Sequence, residues 1–75
     1  MKELVEYIAR SIVDAPDAVK VEEVADEGGI TLKLSVAEAD KGRVIGKQGR
    51  IAEAMRTLLR VKAAKASIKV RLEII

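Results

Sequence analysis

Apolar and polar residues follow two different periods along the chain, and the helical period marks two segments. Near the N-terminus, apolar residues recur at helical spacing, which predicts an amphipathic helix over residues 2–14 that ends before Pro16. A second helical stripe predicts a longer helix over residues 50–65. The apolar stripe of this second helix comprises Ile51, Ala54, Met55, Leu58 and Leu59. We expect Met55, Leu58 and Leu59 to lie in the core.

Three further segments alternate between apolar and polar at every second residue, as strands with one buried face do. The first begins at Val19, and its alternation is disturbed at Glu22–Glu23, which predicts a β-bulge. The second covers residues 30–36 and the third covers residues 67–75. Gly28–Gly29 is expected to supply the positive φ angles of a tight hairpin turn between the first two strands.

A short helix is predicted over residues 40–45, with Asp40 as its N-cap. The resulting order is helix, strand, strand, helix, helix, strand, which predicts an α+β fold with the helices on one face of a three-stranded sheet. Two helices separate strand 30–36 from strand 67–75, so we expect these strands to be parallel in a mixed sheet. The 75 residues suit a single domain over residues 1–75.

The composition excludes several kinds of chemistry. The chain has no cysteine and no histidine, which removes disulfides, thiolate metal sites and the commonest general base. No pair of nucleophile and base is visible, so we expect no enzyme, no metal and no cofactor. The longest apolar run is far shorter than a membrane span, and the N-terminus does not resemble a signal peptide. We therefore expect a cytoplasmic protein without a membrane partner.

The net charge of +2 conceals a strong asymmetry between the two halves of the chain. Residues 1–40 carry 4 basic and 10 acidic side chains, whereas residues 41–75 carry 10 basic and 2 acidic ones. A half-chain this basic is a candidate surface for polyanions. The alternative is that the two halves neutralise each other across the fold, and charge alone does not separate these interpretations.

The stretch RVIGKQGR at residues 43–50 contains two glycines, Gly46 and Gly49, that flank Lys47 and Gln48. One interpretation is a helix–helix turn, because glycine ends helices in left-handed geometry at little cost. The other is a phosphate cradle. Glycine would let a nucleic-acid backbone approach the main chain, and amides of the loop and of the next helix would point at the anion.

The charges around the loop favour the phosphate cradle. Lys47 and Arg50 lie at the N-terminus of the predicted helix 50–65, and Lys41 and Arg43 lie just upstream. Positive side chains are disfavoured at a helix N-terminus by about 0.3–1 kcal/mol each, because the helix dipole is already positive there. A purely structural turn would instead favour acidic residues, and none occurs over residues 41–52.

The segment VIGKQG, between a short helix and a longer one, resembles the signature of KH domains, and the element order is similar to their bacterial, type II arrangement. The resemblance covers essentially all 75 residues. It implies an αββααβ fold and a GXXG loop that clamps about four nucleotides of single-stranded nucleic acid. It assigns the loop to Gly46, Lys47, Gln48 and Gly49, and the adjacent groove to Ile45 and Ile51.

The resemblance also implies a biological role. It implies an RNA-binding protein that acts as an RNA chaperone or post-transcriptional regulator, with a link to cell-wall homeostasis and cell length. It further implies a homodimer, or a heteromer with a larger KH-containing protein. The expected ligand is single-stranded RNA, with single-stranded DNA as a variant. The candidate RNA-binding residues are Lys41, Arg43, Ile45, Gly46, Lys47, Gln48, Gly49, Arg50 and Ile51.

Two features bear on the alternatives. The basic half could instead bind an acidic protein partner, which would make the chain a protein-interaction module. Arg56 and Arg60 stand on the exposed side of the predicted helix 50–65, and we interpret them as a solvated face rather than as ligands. The only aromatic residue, Tyr7, belongs to the first helix, so we do not expect it to stack on a base. We therefore expect weak, electrostatic affinity.

Overall fold

The computed structural model describes residues 1–75 as three α-helices on a three-stranded sheet. The elements are α1 (Lys2–Ile12), β1 (Lys20–Asp26), β2 (Gly29–Ser35), α2 (Lys41–Ile45), α3 (Arg50–Ala66) and β3 (Val70–Ile74). The strand order is β1-β2-β3, with β1 antiparallel to β2 and β2 parallel to β3. The predicted α+β fold, its element order and its mixed sheet are confirmed.

One face of the sheet is buried against α1 and α3. The register places Leu34 beside Val21 of β1 and Ile74 of β3, and it places Leu32 beside Leu72. Alternate residues of each strand share a face, so these side chains project together toward the helices. The core cluster comprises Val5, Ala9, Val19, Val21, Leu32, Leu34, Val36, Val44, Met55, Leu59 and Leu72.

The bulge predicted in the first strand is wrong. Every residue from Lys20 to Asp26 pairs in continuous register with β2. Glu22 pairs with Lys33, and the next residue, Glu23, is exposed even though it pairs with the buried Leu32. Because β1 is an edge strand, its side chains can reach solvent on either face. The loss of alternation therefore reflects the edge position and not an extra residue.

The hairpin turn uses one positive φ angle instead of the two expected. Gly29 has φ +132°, whereas Gly28 is not in the left-handed region. The carbonyl oxygen of Lys69, just before β3, accepts a hydrogen bond from the amide of Ile30 at 2.8 Å. A Cβ at position 29 would collide with this carbonyl. Gly29 is thus required where the hairpin meets the chain that leads into β3.

The first helix ends earlier, and the last strand begins later, than the sequence predicted. The first helix ends at Ile12, because Val13 is already extended with φ −94° and ψ 158°. The last strand begins at Val70 instead of residue 67. Ser67 adopts left-handed geometry with φ 57° and ψ 39°, and the amide of Ile68 donates to the carbonyl of Ala63 at 3.0 Å. This pattern is a Schellman-type helix end, so residues 67–69 close α3 before the strand starts.

The prediction for the core of the second long helix is confirmed for Met55 and Leu59 and is wrong for Leu58. Met55 and Leu59 are buried, whereas Leu58 is 48% exposed and Val61 is 53% exposed. Successive helical residues are about 100° apart, so Leu58 and Leu59 cannot both face the sheet. Ala54, Leu58 and Val61 instead form an outward apolar strip, the outer α3 face. None of the three helices combines the length and the hydrophobicity that a membrane-spanning helix needs.

Candidate nucleic-acid interface

The loop between α2 and α3 is a tight turn with three positive φ angles in four residues. Gly46 has φ 78° and ψ 171°, Gln48 has φ 57° and ψ 26°, and Gly49 has φ 73° and ψ 14°. The conformation of Gly46 belongs to a region that is essentially restricted to glycine. Gln48 pays a modest strain for left-handed geometry, which asparagine and aspartate adopt more readily. The loop geometry is therefore specified by both glycines.

The two glycines have different surroundings. A Cβ at position 46 would lie 2.7 Å from Cγ1 and 2.9 Å from the amide nitrogen of Ile51, which is too close for any side chain. A Cβ at position 49 would meet no atom within 4 Å. Gly46 is thus needed to pack the loop against the start of α3. Gly49 is the position at which the missing side chain leaves open space above the main chain.

Part of the expected phosphate cradle is already occupied. The amide of Gly49 donates to the carbonyl of Gly46 at 3.1 Å, and the amide of Arg50 donates to the carbonyl of Lys47. These two amides hold the turn together, so an approaching anion does not find them free. The attraction of the loop for an anion then depends more on side-chain charge than on main-chain donors.

Two of the four cations near the loop form ion pairs, and two do not. Lys41 is bound to Glu38 at 3.1 Å, and Arg43 is bound to Asp14 at 3.1 Å. Lys47 and Arg50 take part in no ion pair, and the only side-chain hydrogen bond of Arg50 goes to Oε1 of Gln48 at 3.5 Å. The uncompensated positive charge of the loop therefore comes from Lys47 and Arg50.

Asp40 was expected to cap α2 with its side chain, but it does not do so. No side-chain capping bond is formed; instead, the 2% exposed Asp40 accepts hydrogen bonds from the amides of Asp14 at 3.2 Å and Ala15 at 3.1 Å. Arg43 lies between two carboxylates, with Nη2 3.1 Å from Asp14 and Nε 3.7 Å from Asp40. The main-chain amides after α1 thus recruit the carboxylate, and the cluster fixes α2, and hence the loop, to α1.

The two isoleucines of the candidate groove are exposed to different degrees. Ile45, the last residue of α2, is 40% exposed. Ile51 is half-buried and packs against the core cluster. Ile45 therefore offers apolar surface beside the loop, whereas the main contact of Ile51 near the loop is with Gly46.

Three charged residues follow Gly49 along one side of α3. Gly49, Glu53, Arg56 and Arg60 follow one another at spacings of four, three and four residues, so they share a helical face. This face borders a cleft of about 420 Å³ between α3 and β3. The cleft is lined by Arg56, Leu59, Arg60, Val70, Arg71, Leu72 and Glu73.

The sequence analysis interpreted Arg56 and Arg60 as a solvated helix face, and the structure places both in the lining of this cleft. Nη2 of Arg56 donates across the cleft to the carbonyl of Leu72 at 3.4 Å, and Nη1 of Arg60 is 3.4 Å from Oε1 of Glu53. Arg71 reaches the same cleft from the strand. The helical spacing from Gly49 to Arg56 and Arg60 was a signal available in the sequence. The approach of β3 was not, because it depends on tertiary packing.

The αββααβ fold, its mixed sheet and a glycine-bracketed loop between α2 and α3 define a type II KH domain. The family model for the KH domain of KhpA/KhpB matches residues 2–74. The chain is 55% identical to the RNA-binding protein KhpA of Clostridium acetobutylicum and 56% identical to that of Clostridium perfringens, each over 75 residues and the full length of both chains. It is 47% identical to KhpA of Borreliella burgdorferi over 73 residues, which are 97% of this chain and 89% of the relative. No solved structure matches the chain.

The chain belongs to the KhpA/KhpB family of KH domains. The resemblance to a type II KH domain is confirmed.

Proposed function

We propose that residues 1–75 form a single RNA-binding KH domain, without catalytic activity or a cofactor, that clamps the backbone of single-stranded RNA. The observation that carries this proposal is the open space at Gly49, flanked by the unpaired cations Lys47 and Arg50. A phosphate can approach the main chain there because no side chain intervenes. The curated relatives are named RNA-binding proteins, which supports the same ligand for this chain.

The arrangement suggests how a strand would lie. The phosphates would follow the loop, where Lys47 and Arg50 provide attraction, while Ile45 and the half-buried Ile51 contribute apolar surface. The bases would then turn toward the cleft between α3 and β3, which is lined by three apolar residues together with Arg56, Arg60, Arg71 and Glu73. Lys41 and Arg43 would add attraction only by exchanging their present carboxylate partners for phosphate. The Lys41–Glu38 pair is exposed and contributes about 0–1 kcal/mol, so Lys41 can make this exchange at little cost, whereas Arg43 would have to leave the buried Asp40. Single-stranded DNA is the variant ligand that the same loop would accept.

At the level of the cell, we propose a cytoplasmic RNA chaperone or post-transcriptional regulator with an influence on cell-wall homeostasis and cell length. Membership of the KhpA/KhpB family supports this proposal through the resemblance described above. A test at this level is to crosslink the protein to cellular RNA and sequence the bound fragments. Recovery of no RNA above a control without crosslinking would contradict the regulatory role.

Self-association is the second part of the proposal. A small domain without disulfides gains stability by pairing, and a weak site gains avidity from a second copy. The outer α3 face, with Leu58 and Val61 about half exposed, offers apolar surface for a second copy or a larger KH-containing partner. It lies roughly 150° around α3 from the side that carries Arg56 and Arg60, at 3.6 residues per turn. Pairing there would leave both clefts free.

The decisive variant for RNA binding is Lys47→Asp/Gln48→Asp. It removes one attractive charge and adds two repulsive ones at the loop, while aspartate is compatible with the left-handed geometry at position 48. Aspartates near the N-terminus of α3 also suit the helix dipole. We expect the affinity for single-stranded RNA to fall at least tenfold, or about 1.4 kcal/mol. The melting temperature should stay unchanged or rise slightly.

A matched control separates a local effect from a change in net charge. Ser11→Asp/Lys20→Asp makes the same charge change on exposed positions of α1 and β1. This control should keep most of the RNA affinity. If the folded loop variant binds RNA like the wild type, the glycines only turn the chain. Salt-sensitive binding of an acidic protein, with no binding of RNA, would then favour the protein-interaction module.

A further inference from the structure

Arg56 has a position in the cleft that no other cation shares. It is partly buried, and its guanidinium spans from α3 to the carbonyl of Leu72 at 3.4 Å. β3 pairs only with β2, so its other edge is open and this carbonyl faces the cleft. At 3.4 Å the bond is near the upper limit for a hydrogen bond and is readily exchanged. Arg56 therefore occupies the floor of the cleft in the free protein without being fixed there.

The surroundings of Arg56 suit a base better than a phosphate. The partly buried Arg56 lies beside Leu59 and Leu72 in the cleft lining, whereas Arg60 and Arg71, which line it too, are exposed and accessible to phosphates. The flat face of a base can pack against apolar side chains of this kind. Arg56 also lies six residues after Arg50, or about 9 Å along the helix at 1.5 Å per residue. A strand held at the loop would bring its next bases to this point.

The chain offers no aromatic side chain for this purpose. Its only aromatic residue, Tyr7, lies on α1, is 73% exposed and does not line the cleft. Bases in single-stranded RNA commonly stack on aromatic rings, but they also stack on the planar guanidinium of arginine. Lysine cannot replace that plane. The groups of the cleft that are suited to stacking are therefore its three arginine guanidiniums, and of these arginines only Arg56 is partly buried.

We propose that Arg56 contacts a base of the bound RNA through its guanidinium plane and thereby replaces the missing aromatic residue. When the base enters, Arg56 releases the carbonyl of Leu72, which becomes an acceptor for an N–H group of the base. Every base has a π face, so this contact makes the site tolerant of sequence. This inference rests on the proposed RNA-binding function, because the base reaches Arg56 only from a strand held at the loop.

The test is a thermodynamic cycle between Arg56 and the bases of an RNA octanucleotide. Arg56→Lys keeps the charge and loses the plane. Arg10→Lys is the matched control, since Arg10 lies on α1 outside the cleft and forms an ion pair with Glu6 at 3.2 Å. Affinities are measured by fluorescence anisotropy for the intact strand and for strands with an abasic ribose at each position in turn. The melting temperature of each variant confirms that it is folded.

We expect Arg56→Lys to weaken binding of the intact strand about fivefold or more, the lower end of the effect of removing a stacking partner. For the strand whose abasic ribose faces Arg56, the substitution should make no difference. The slope of affinity against salt should stay unchanged, because the charge is retained. Arg10→Lys should change none of these quantities.

The possible failures are distinguishable. If Arg56→Lys weakens binding equally for the intact strand and for every abasic strand, Arg56 acts on the backbone or on the fold, and the inference is overturned. No loss of affinity for the intact strand overturns it as well. In either case the loop can still bind RNA, as Lys47→Asp/Gln48→Asp reveals independently. A wild-type protein that binds no octanucleotide overturns the proposed function and this inference together.

Discussion

Substituting each loop glycine by alanine should separate the packing role of Gly46 from the ligand role of Gly49. Gly49→Ala places a methyl group in open space at φ 73°, so its cost is the left-handed strain alone, about 1–2 kcal/mol. Gly46→Ala places the methyl group against Ile51 at φ 78° and ψ 171°. Strain of about 1–3 kcal/mol and overpacking of about 1–3 kcal/mol then add to about 2–6 kcal/mol.

These costs are large on the scale of a small domain, whose total stability is about 5–15 kcal/mol. Chemical denaturation should therefore show Gly49→Ala as a folded variant with a modest loss and Gly46→Ala as severely destabilised. Gly42→Ala is the matched control. Gly42 lies within α2, has no atom within 4 Å of an added Cβ and has no positive φ. Alanine there should stabilise the protein by about 0.5–1 kcal/mol.

RNA affinity completes the experiment. The methyl group at position 49 would stand where the phosphate must approach, so Gly49→Ala should weaken binding at least tenfold, or about 1.4 kcal/mol, at a temperature where it is folded. Gly42→Ala should bind like the wild type. If folded Gly49→Ala retains wild-type affinity, the backbone of the strand does not approach the main chain at this position. The proposed clamp would then be wrong, whatever the stability of the variants.

Three further predictions concern charge, assembly and the scaffold of the loop. The logarithm of RNA affinity should fall with the logarithm of salt concentration at a slope of about −1.4, because each of the two unpaired cations contributes about −0.7. A flat dependence would contradict the electrostatic clamp. A slope of about −3 would mean that the paired cations Lys41 and Arg43 also bind phosphate. Leu58→Glu/Val61→Glu should give a folded monomer in sedimentation at micromolar concentrations where the wild type associates, while Tyr7→Glu, at a similarly exposed apolar position, should leave association intact; a wild type that is itself monomeric refutes the prediction. Asp40→Ala should lower the free energy of unfolding by about 2–4 kcal/mol, because two part-buried amides lose their acceptor. A loss below about 1 kcal/mol in urea denaturation would instead show that water replaces the carboxylate.

The periodic patterns were sufficient for the fold because each element has one face that must be buried. The alternation in β2 and β3 and the stripe of α3 gave the element types, and the two intervening helices gave the parallel pairing. The patterns were misleading where an element has more than one environment. Glu22–Glu23 disturbs the alternation because β1 is an edge strand, and Leu58 is apolar yet outward because α3 is apolar on two sides.

The candidate site likewise combines local features, which the sequence shows, with contacts that only the folded chain creates. The glycine spacing and the local charge identified the loop, since both are properties of consecutive residues. The pairing of Arg43 with Asp14 and the recruitment of Asp40 by amides after α1 join residues 25–29 positions apart, so no local pattern contains them. The carbonyl of Leu72 opposite Arg56 is likewise visible only once β3 is placed beside α3.

The parallel pairing of β2 with β3 also orders the events of folding. The β1–β2 hairpin is local and can form within microseconds, whereas β3 must first close a long segment, residues 36–69. That segment contains the loop and one wall of the cleft. A chain with only its hairpin formed has the sequence of the loop but no cleft to receive a base. A bound strand would select the molecules in which β3 has docked and would stabilise them by mass action. In that sense RNA would act as a late folding ligand, and hydrogen exchange at β3 should slow more on binding than exchange in β1.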